Sequence, residues 1–279
     1  MMNKLTIYKD NKLINASYKL SLNEQRLILS CIGQLKSSES LTSDMWVEVS
    51  VSDYAKSFNI DKKRAYIELK EIEEQLFERY VFINAEALPK DIKHNFNAKH
   101  KIKTRWVSHV AYNVEEQKIA IGFAPLIIPY LSQLKKEFTK YQLEHVSQMS
   151  SIYAIRIYEI LAQHQFKDKK EVKISILDLR EKLQIENKYP KFANIRQKVI
   201  TPAMEQINKY SNFKAEYFPI KKSRKVDAIL FKFSFKEGQE ATREPKNNPK
   251  QHISEKEIIT NARPGESYQQ VRNRLTGYT

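Results

Sequence analysis

VEVSVSDYAKSFNIDKK, Val47–Lys63, lies without a gap over VKISILDLREKLQIENK, Val172–Lys188, at an offset of 125 residues. Val47 meets Val172, Val49 meets Ile174, Ser50 meets Ser175 and Asp53 meets Asp178. Further on, Phe58 meets Leu183, Ile60 meets Ile185 and Lys63 meets Lys188. Both copies read as a short alternating strand followed by a short helix. The S-x-x-D spacing predicts a serine side chain capping the amide three residues on. A coincidence of apolar register and capping at one offset marks an internal repeat.

Each short helix is followed by a turn and a longer amphipathic helix. Ala65, Leu69, Ile72 and Leu76 recur at 4-3-4 spacing, and Phe192, Ile195, Val199, Ala203 and Ile207 at 3-4-4-4. Strand, helix, turn and second helix form the helix-turn-helix plan. A β segment comes next in each copy, Tyr80–Ala85 and Phe213–Pro219. The second runs through KKSRK into Val226–Phe235, where Ile229, Phe231, Phe233 and Phe235 alternate as in a half-buried strand. A helix-turn-helix with a basic β-hairpin is a winged helix. Helices are also predicted ahead of each unit, over Leu22–Leu35 and Ser151–Gln165. The first copy has a longer wing, in which Lys90–Lys103 leads into a hairpin of Arg105–Val114 and Lys118–Phe123 turning at Glu115–Gln117. Pro125–Leu134 reads as a short bridging helix. The expected fold is therefore α+β: two tandem winged-helix domains, 1–140 and 141–237, with a disordered tail over 238–279. That tail is nearly devoid of apolar residues at its start (EATREPKNNPKQ), and a brief helix near Ser267–Leu275 is marginal in isolation.

The chain carries 48 Lys/Arg against 33 Asp/Glu, a net +15, which points to a polyanionic partner. Glu186–Lys236 holds 12 basic and 4 acidic residues, and Lys90–Arg105 holds 6 and 1, so 13 of the 15 net charges sit in two windows. Only 5 glycines occur in 279 residues, and neither G-x-G-x-x-G nor G-x-x-x-x-G-K-[ST] is present, which argues against nucleotide-driven chemistry. Cys31 is the one cysteine, set in an apolar run, and reads as a buried thiol. The six histidines show no H-x-H or H-x-x-x-H pair on a predicted element, so no metal or other cofactor is expected. A tyrosine-dependent nicking enzyme would need such a metal site. Paired carboxylates such as Glu115/Glu116 fall in a turn. No catalytic constellation emerges, and the expectation is a non-enzymatic binder. The N-terminus lacks an apolar signal core and no run of about 18 apolar residues exists, so the expected location is the cytoplasm. A membrane-surface role would need a basic helix with aromatic anchors, whereas Trp46 and Trp106 fall in predicted strands.

With Phe192, Ile195, Val199 and Ala203 facing inward, the opposite side of the second long helix carries Asn194, Gln197 and Thr201, flanked by Lys191 and Lys198. Asn and Gln pair bidentately with adenine, and Lys with guanine acceptors. Lys191, Asn194, Gln197 and Lys198 are the expected base readers. An ordinary exposed polar face is the bland alternative for them. Lys188, Lys209, Lys221, Lys222, Arg224 and Lys225 are expected on phosphates. Arg196 lies nearer the buried flank, placed for a phosphate or an internal partner. In the first copy Lys62, Lys63 and Arg64 start the long helix, while Glu68, Glu71, Glu73, Glu74 and Glu78 along it repel phosphate. Lys62, Lys63 and Arg64, with Lys99, Lys101 and Lys103 of the wing, are therefore expected to clamp backbone.

LSLNEQRLILSCI (Leu20–Ile32), YAIRIYEIL (Tyr153–Leu161) and IRQKVITPAMEQIN (Ile195–Asn208) resemble the tandem winged-helix replication initiators of iteron-containing, theta-replicating plasmids, over about Leu13–Phe235. The resemblance implies monomers on repeated origin sites, with the second domain doing most of the reading. It implies a homodimer, joined through the first domain, in equilibrium with the monomer and repressing its own promoter at an inverted repeat. It further implies host initiator, replicative helicase and chaperones as partners beside double-stranded DNA, and no membrane. A double winged-helix transcriptional regulator without origin function is the alternative. Separately, LILSCIGQL (Leu27–Leu35) is charge-free and prone to β-pairing if a remodelled first domain exposes it.

Overall fold

The computed structural model describes residues 5–36, 39–89, 92, 96–97, 99–134 and 136–239, together with positions 260, 263, 266, 267, 270 and 271. Met1–Glu240 forms one unit and Ala241–Thr279 another. In the second, the Val271 amide donates to the Ser267 carbonyl at 3.0 Å, closing one helical turn. Most of the expected disordered tail lies outside the described residues.

The repeat is borne out atom by atom. Strand β3 (Val47–Ser50) runs into helix α3 (Val51–Phe58), whose Ser50 side chain accepts from the Asp53 amide at 3.0 Å. In the second copy β9 (Glu171–Ser175) runs into α7 (Ile176–Leu183), with Ser175 accepting from the Asp178 amide at 3.0 Å. Both helices end on a left-handed residue at the same offset, Asn59 at φ 51° and Gln184 at φ 52°. The chain then turns into α4 (Lys62–Leu76), capped by Asp61, and in the second copy into a longer helical rod. That rod comprises α8 (Phe192–Ile195), a π-helical turn over Arg196–Ile200, and α9 (Thr201–Tyr210).

The second copy closes with β10 (Phe213–Lys222) and β11 (Lys225–Phe235), in a sheet ordered β10-β11-β9. The first copy repeats this order with β6 (Val107–Asn113) and β7 (Lys118–Phe123), giving β6-β7-β3. Here the expected continuous wing needs correction. Residues of β5 (Lys101–Arg105) do not lead into the wing sheet; they pair with β4 (Tyr80–Asn84) in a separate sheet with β2 (Ser17–Tyr18). A hairpin is thus inserted between the long helix and the wing of the first copy. Trp106, fully buried, separates the two sheets and is held by backbone bonds to Arg79 and Ala124. Lys99–Lys103 therefore belongs to the inserted hairpin, and the wing tip is the acidic Glu115/Glu116 turn. The expected Pro125–Leu134 helix reduces to a 3-10 turn at Ile128–Tyr130, because two prolines interrupt the segment.

Helix α2 (Leu22–Gln34) carries a full capping box between Ser21 and Glu24, and Leu27–Ile32 is buried, so the β-prone run sits in the core. Helix α6 (Ile152–Ala162) follows a single turn, α5 (Glu144–Ser147). Pattern reading missed an N-terminal strand: β1 (Thr6–Asp10) pairs antiparallel with β8 (Phe138–Gln142), Thr6 opposite Gln142, and leads into helix α1 (Asn11–Asn15). Neither β1 nor β8 lies in the repeat, and their partnership spans over a hundred residues.

Candidate nucleic-acid interface

The rod of the second copy is anchored by Ile195, Val199, Ile200, Ala203 and Ile207, all fully buried. Its other side presents Lys191, Asn194, Arg196, Gln197 and Lys198, all exposed. Arg196 was expected nearer the buried flank; it instead shares the exposed face with Gln197 and Lys198. Thr201 is half-buried, its hydroxyl 3.2 Å from the Tyr217 hydroxyl, which ties the rod to β10. Lys209 is exposed near the far end, its ammonium 5.0 Å from the Tyr210 ring.

Sequence reading missed Arg180. Its guanidinium donates to the carbonyls of Ile185, Lys188, Tyr189 and Pro190 at 3.3, 2.8, 2.6 and 3.2 Å. It thereby stitches the turn that sets down the start of the rod. That turn includes Tyr189 at φ 54°, a left-handed conformation a side chain adopts at a cost. The carbonyls of a Gly-free turn gather on one arginine here, and only the folded turn makes that visible. Lys188 points outward from it. The β10–β11 hairpin turns in two residues, Ser223 and Arg224, and carries Lys221, Lys222, Arg224 and Lys225 exposed around its tip. Among the described residues none of these four has an ion-pair partner.

The first copy is less open. Lys62 and Lys63 are exposed at the start of α4, but Arg64 donates to Glu68 at 2.8 Å. Glu68, expected among the phosphate-repelling carboxylates, is buried, and it also receives the Tyr54 hydroxyl at 3.1 Å with Arg26 at 3.8 Å. On the inserted hairpin Lys99 is exposed. Lys101 pairs with Glu181 of α7 at 2.7 Å, and Lys103 lies 3.7 Å from the Tyr80 ring centroid. The hairpin thus leans on the second copy through Lys101.

A polar web holds the two copies together. Arg156 of α6 donates to the Ala16 carbonyl at 2.8 Å and to the Tyr18 hydroxyl, and Lys182 donates to the Asn15 carbonyl at 3.1 Å. Burial, then the neighbouring Arg156 charge, lowers the Lys182 pKa. Lys9 of β1 and Glu159 of α6, both fully buried, meet at 2.7 Å. The rod of the second copy is thus part of the same compact unit as the first copy. Among the described residues no group of three or more His, Cys, Asp or Glu converges as a metal site, and no helix is long and apolar enough to cross a membrane.

Comparison with known proteins accords with this geometry. The model of the initiator replication protein WH1 domain matches residues 6–162, and that of the initiator Rep protein WH2 domain matches residues 175–233. The chain belongs to the Rep initiator family. It has two winged-helix domains, as the repeat required. A replication initiation protein of Escherichia coli is 31% identical over 252 residues, covering 88% of this chain and 75% of that protein. The PI protein of Escherichia coli is 27% identical, over 82% of this chain and 83% of its own length. The crystal structure of the Pi initiator protein in complex with iteron DNA shares the fold, with a TM-score of 0.71 at 24% identity over 85% of this chain and 100% of that one.

Proposed function

We propose that this replication initiator binds repeated origin sites (iterons) in double-stranded DNA and acts as a scaffold for origin opening rather than as an enzyme. The observation that carries the reading is the one-sided rod, with Lys191, Asn194, Gln197 and Lys198 exposed above a fully buried apolar stripe. Asn194 and Gln197 read bases in the major groove. Lys188, Arg196, Lys209 and the hairpin tip hold phosphates on either side, and Lys62 and Lys63 add a second backbone clamp. The Pi initiator, with which this chain shares its fold, is known in complex with iteron DNA, which supports iterons as the ligand. In the same reading, the chain works in the cytoplasm, exchanges between monomer and homodimer, represses its own promoter, and engages host initiator, helicase and chaperones. On this reading the first domain spans 1–140 and the second 141–237, a division supported by Tyr158 of α6 stacking on Phe213 of the second winged helix at 5.1 Å.

Footprinting on the DNA flanking the coding sequence, with a random duplex as control over a salt series, tests this. Spaced direct repeats are protected, with affinity about 10³ or more above random DNA. Asn194→Ala with Gln197→Ala flattens that preference and leaves the log–log salt slope intact. Protection of a single inverted repeat would make the chain a regulator instead, and equal binding to all sequences would remove the base-reading role.

A further inference from the structure

The two long helices differ by one residue. Helix α4 buries Ala65, Leu69, Ile72 and Leu76 at 4-3-4 spacing and is regular throughout. The second-copy rod buries Ile195, Val199, Ala203 and Ile207 at 4-4-4. At roughly 100° per residue, an α-helix turns a 4-3-4 stripe by only about 20°, but a 4-4-4 stripe by about 120°, enough to carry one end off the core. The π turn absorbs the extra residue: the Thr201 amide donates to the Arg196 carbonyl five residues back.

Pro202 is the second residue after that turn. It has no amide to donate to the Lys198 carbonyl four residues back, and its ring clashes with that carbonyl at α spacing. Burial of Ile195 and the chemistry of Pro202 therefore favour the same local geometry at the same place. A continuous α-helix through Arg196–Ile200, with Ala203, Met204 and Ile207 held in the core, rotates everything N-terminal to the turn by about one residue's 100°. Asn194 and Gln197 then leave the groove-facing side and Ile195 is drawn out of the core. Pro202 blocks this alternative. The Thr201 hydroxyl against Tyr217 fixes the C-terminal end of the turn.

We propose that Pro202, through the π turn it enforces, is a positioning residue for DNA sequence discrimination, setting the direction in which Asn194, Gln197 and Lys198 face the bases. This rests on the reading of that face as the base-reading one. Pro202 itself is half-buried and needs no contact with DNA.

The test uses the full chain with Pro202→Ala and, separately, Pro202→Ser, each of which restores an N–H and is a better helix former than proline. Affinity is measured for the duplex protected in the wild-type footprint and for a random duplex of equal length, over a salt series. Both variants stay folded, the helix propensity gained at position 202 offsetting the lost burial of Ile195, and bind random DNA within about twofold of wild type with an unchanged salt slope. The ratio of specific to random affinity falls at least tenfold in both. Amide exchange at position 202 shows a protected N–H, the signature of the restored α-helical bond. A wild-type chain with a clear preference that both variants keep in full overturns the role of Pro202. A wild-type chain without preference overturns the base-reading assignment, and the role of Pro202 with it.

Discussion

Glu159→Gln is the most informative single change to the scaffold. The carboxylate is fully buried in α6 and accepts from Lys9 at 2.7 Å and from the Tyr141 hydroxyl at 2.6 Å, with Arg156 3.6 Å from its other oxygen. The amide keeps the shape and can still accept from Tyr141, but Lys9 is left as a buried ammonium without its counter-charge. Breaking one partner of a buried pair costs about 3–5 kcal/mol. In a unit of this size each kcal/mol moves the midpoint by about 2–4 °C, so the melting temperature falls by roughly 6–20 °C. Urea unfolding followed by far-UV circular dichroism measures the loss as a lower midpoint at constant slope. Lys9→Met alone loses a similar amount. The double variant Lys9→Met/Glu159→Gln recovers part of it, because Lys9 no longer stands unpaired, while Arg156 keeps its buried charge without the carboxylate. Single variants within about 1 kcal/mol of wild type, or a double variant as weak as the two losses added together, would refute the reasoning.

The same carboxylate gives a pH signature. Burial by itself would raise its pKa, but the charges of Lys9 and Arg156 and the hydrogen bonds from Lys9 and Tyr141 outweigh it and hold the group below its ordinary value. A depressed folded-state value means the unfolded chain takes up the proton first. The stabilisation is complete above the ordinary carboxylate value, about pH 4.3, and is lost as pH falls below it toward the folded-state value. Glu159→Gln removes that part of the acid limb and leaves the neutral-to-alkaline limb parallel to wild type.

Three further outcomes follow from local geometry. A Cβ at Gly122 falls 1.7 Å from Nε2 of His109, whose ring lies tilted against Trp46 with centroids 4.1 Å apart; Gly122→Ala therefore displaces the imidazole, shifts Trp46 emission and costs about 1–3 kcal/mol, and an unchanged spectrum would disprove the contact. Cys31 is fully buried and burial pushes its thiol well above the usual range, so an aromatic disulfide reagent at pH 8 titrates no thiol in the native chain and one in urea. Lys101 is neutralised by Glu181 at 2.7 Å, whereas Lys62 is exposed; Lys101→Ala leaves the salt slope of DNA binding unchanged, while Lys62→Ala lowers it by about 0.9.

What could be read before any coordinates was whatever repeats or alternates locally. Ser50 and Ser175 announced their caps because capping acts over three residues, and the inward stripes announced the long helices because burial follows the helical period. The exposed rod face was legible for the same reason. The pairing of β1 with β8, the diversion of Lys101–Arg105 into a second sheet, and the partners of Glu68, Lys101 and Arg180 are long-range choices. A short run of alternating residues does not encode which strand it will meet, nor does an isolated arginine encode which carbonyls will gather around it. Charge windows were a poorer guide than periodicity for this reason. Six basic residues in Lys90–Arg105 look like one DNA-binding wing, yet on the described hairpin Lys101 and Arg105 face carboxylates and Lys103 an aromatic ring.

The π turn lies between these two cases. Its cause is local, a 4-4-4 apolar spacing with a proline inside it, and both halves of it stood in IRQKVITPAMEQIN. The spacing alone could be taken up by a tilted helix, and the proline alone by a kink. Only together do they require one turn to hold an extra residue while both ends stay on the core. The first copy supplies the internal control: the same helix-turn-helix with 4-3-4 spacing and no proline has no such turn. That helix also lacks an unobstructed polar face, since Glu71, Glu73 and Glu74 run along it and Arg64 is tied to Glu68. On the proposed function, the one-residue difference separates a helix that clamps and packs from one placed to read. Inserting an alanine after Leu69 of α4, which makes its spacing 4-4-4 without a proline, is expected to destabilise the first domain rather than create a π turn, because the α alternative remains open to it. A stable, fully folded insertion variant with a π turn would mean that spacing alone suffices and that Pro202 is dispensable.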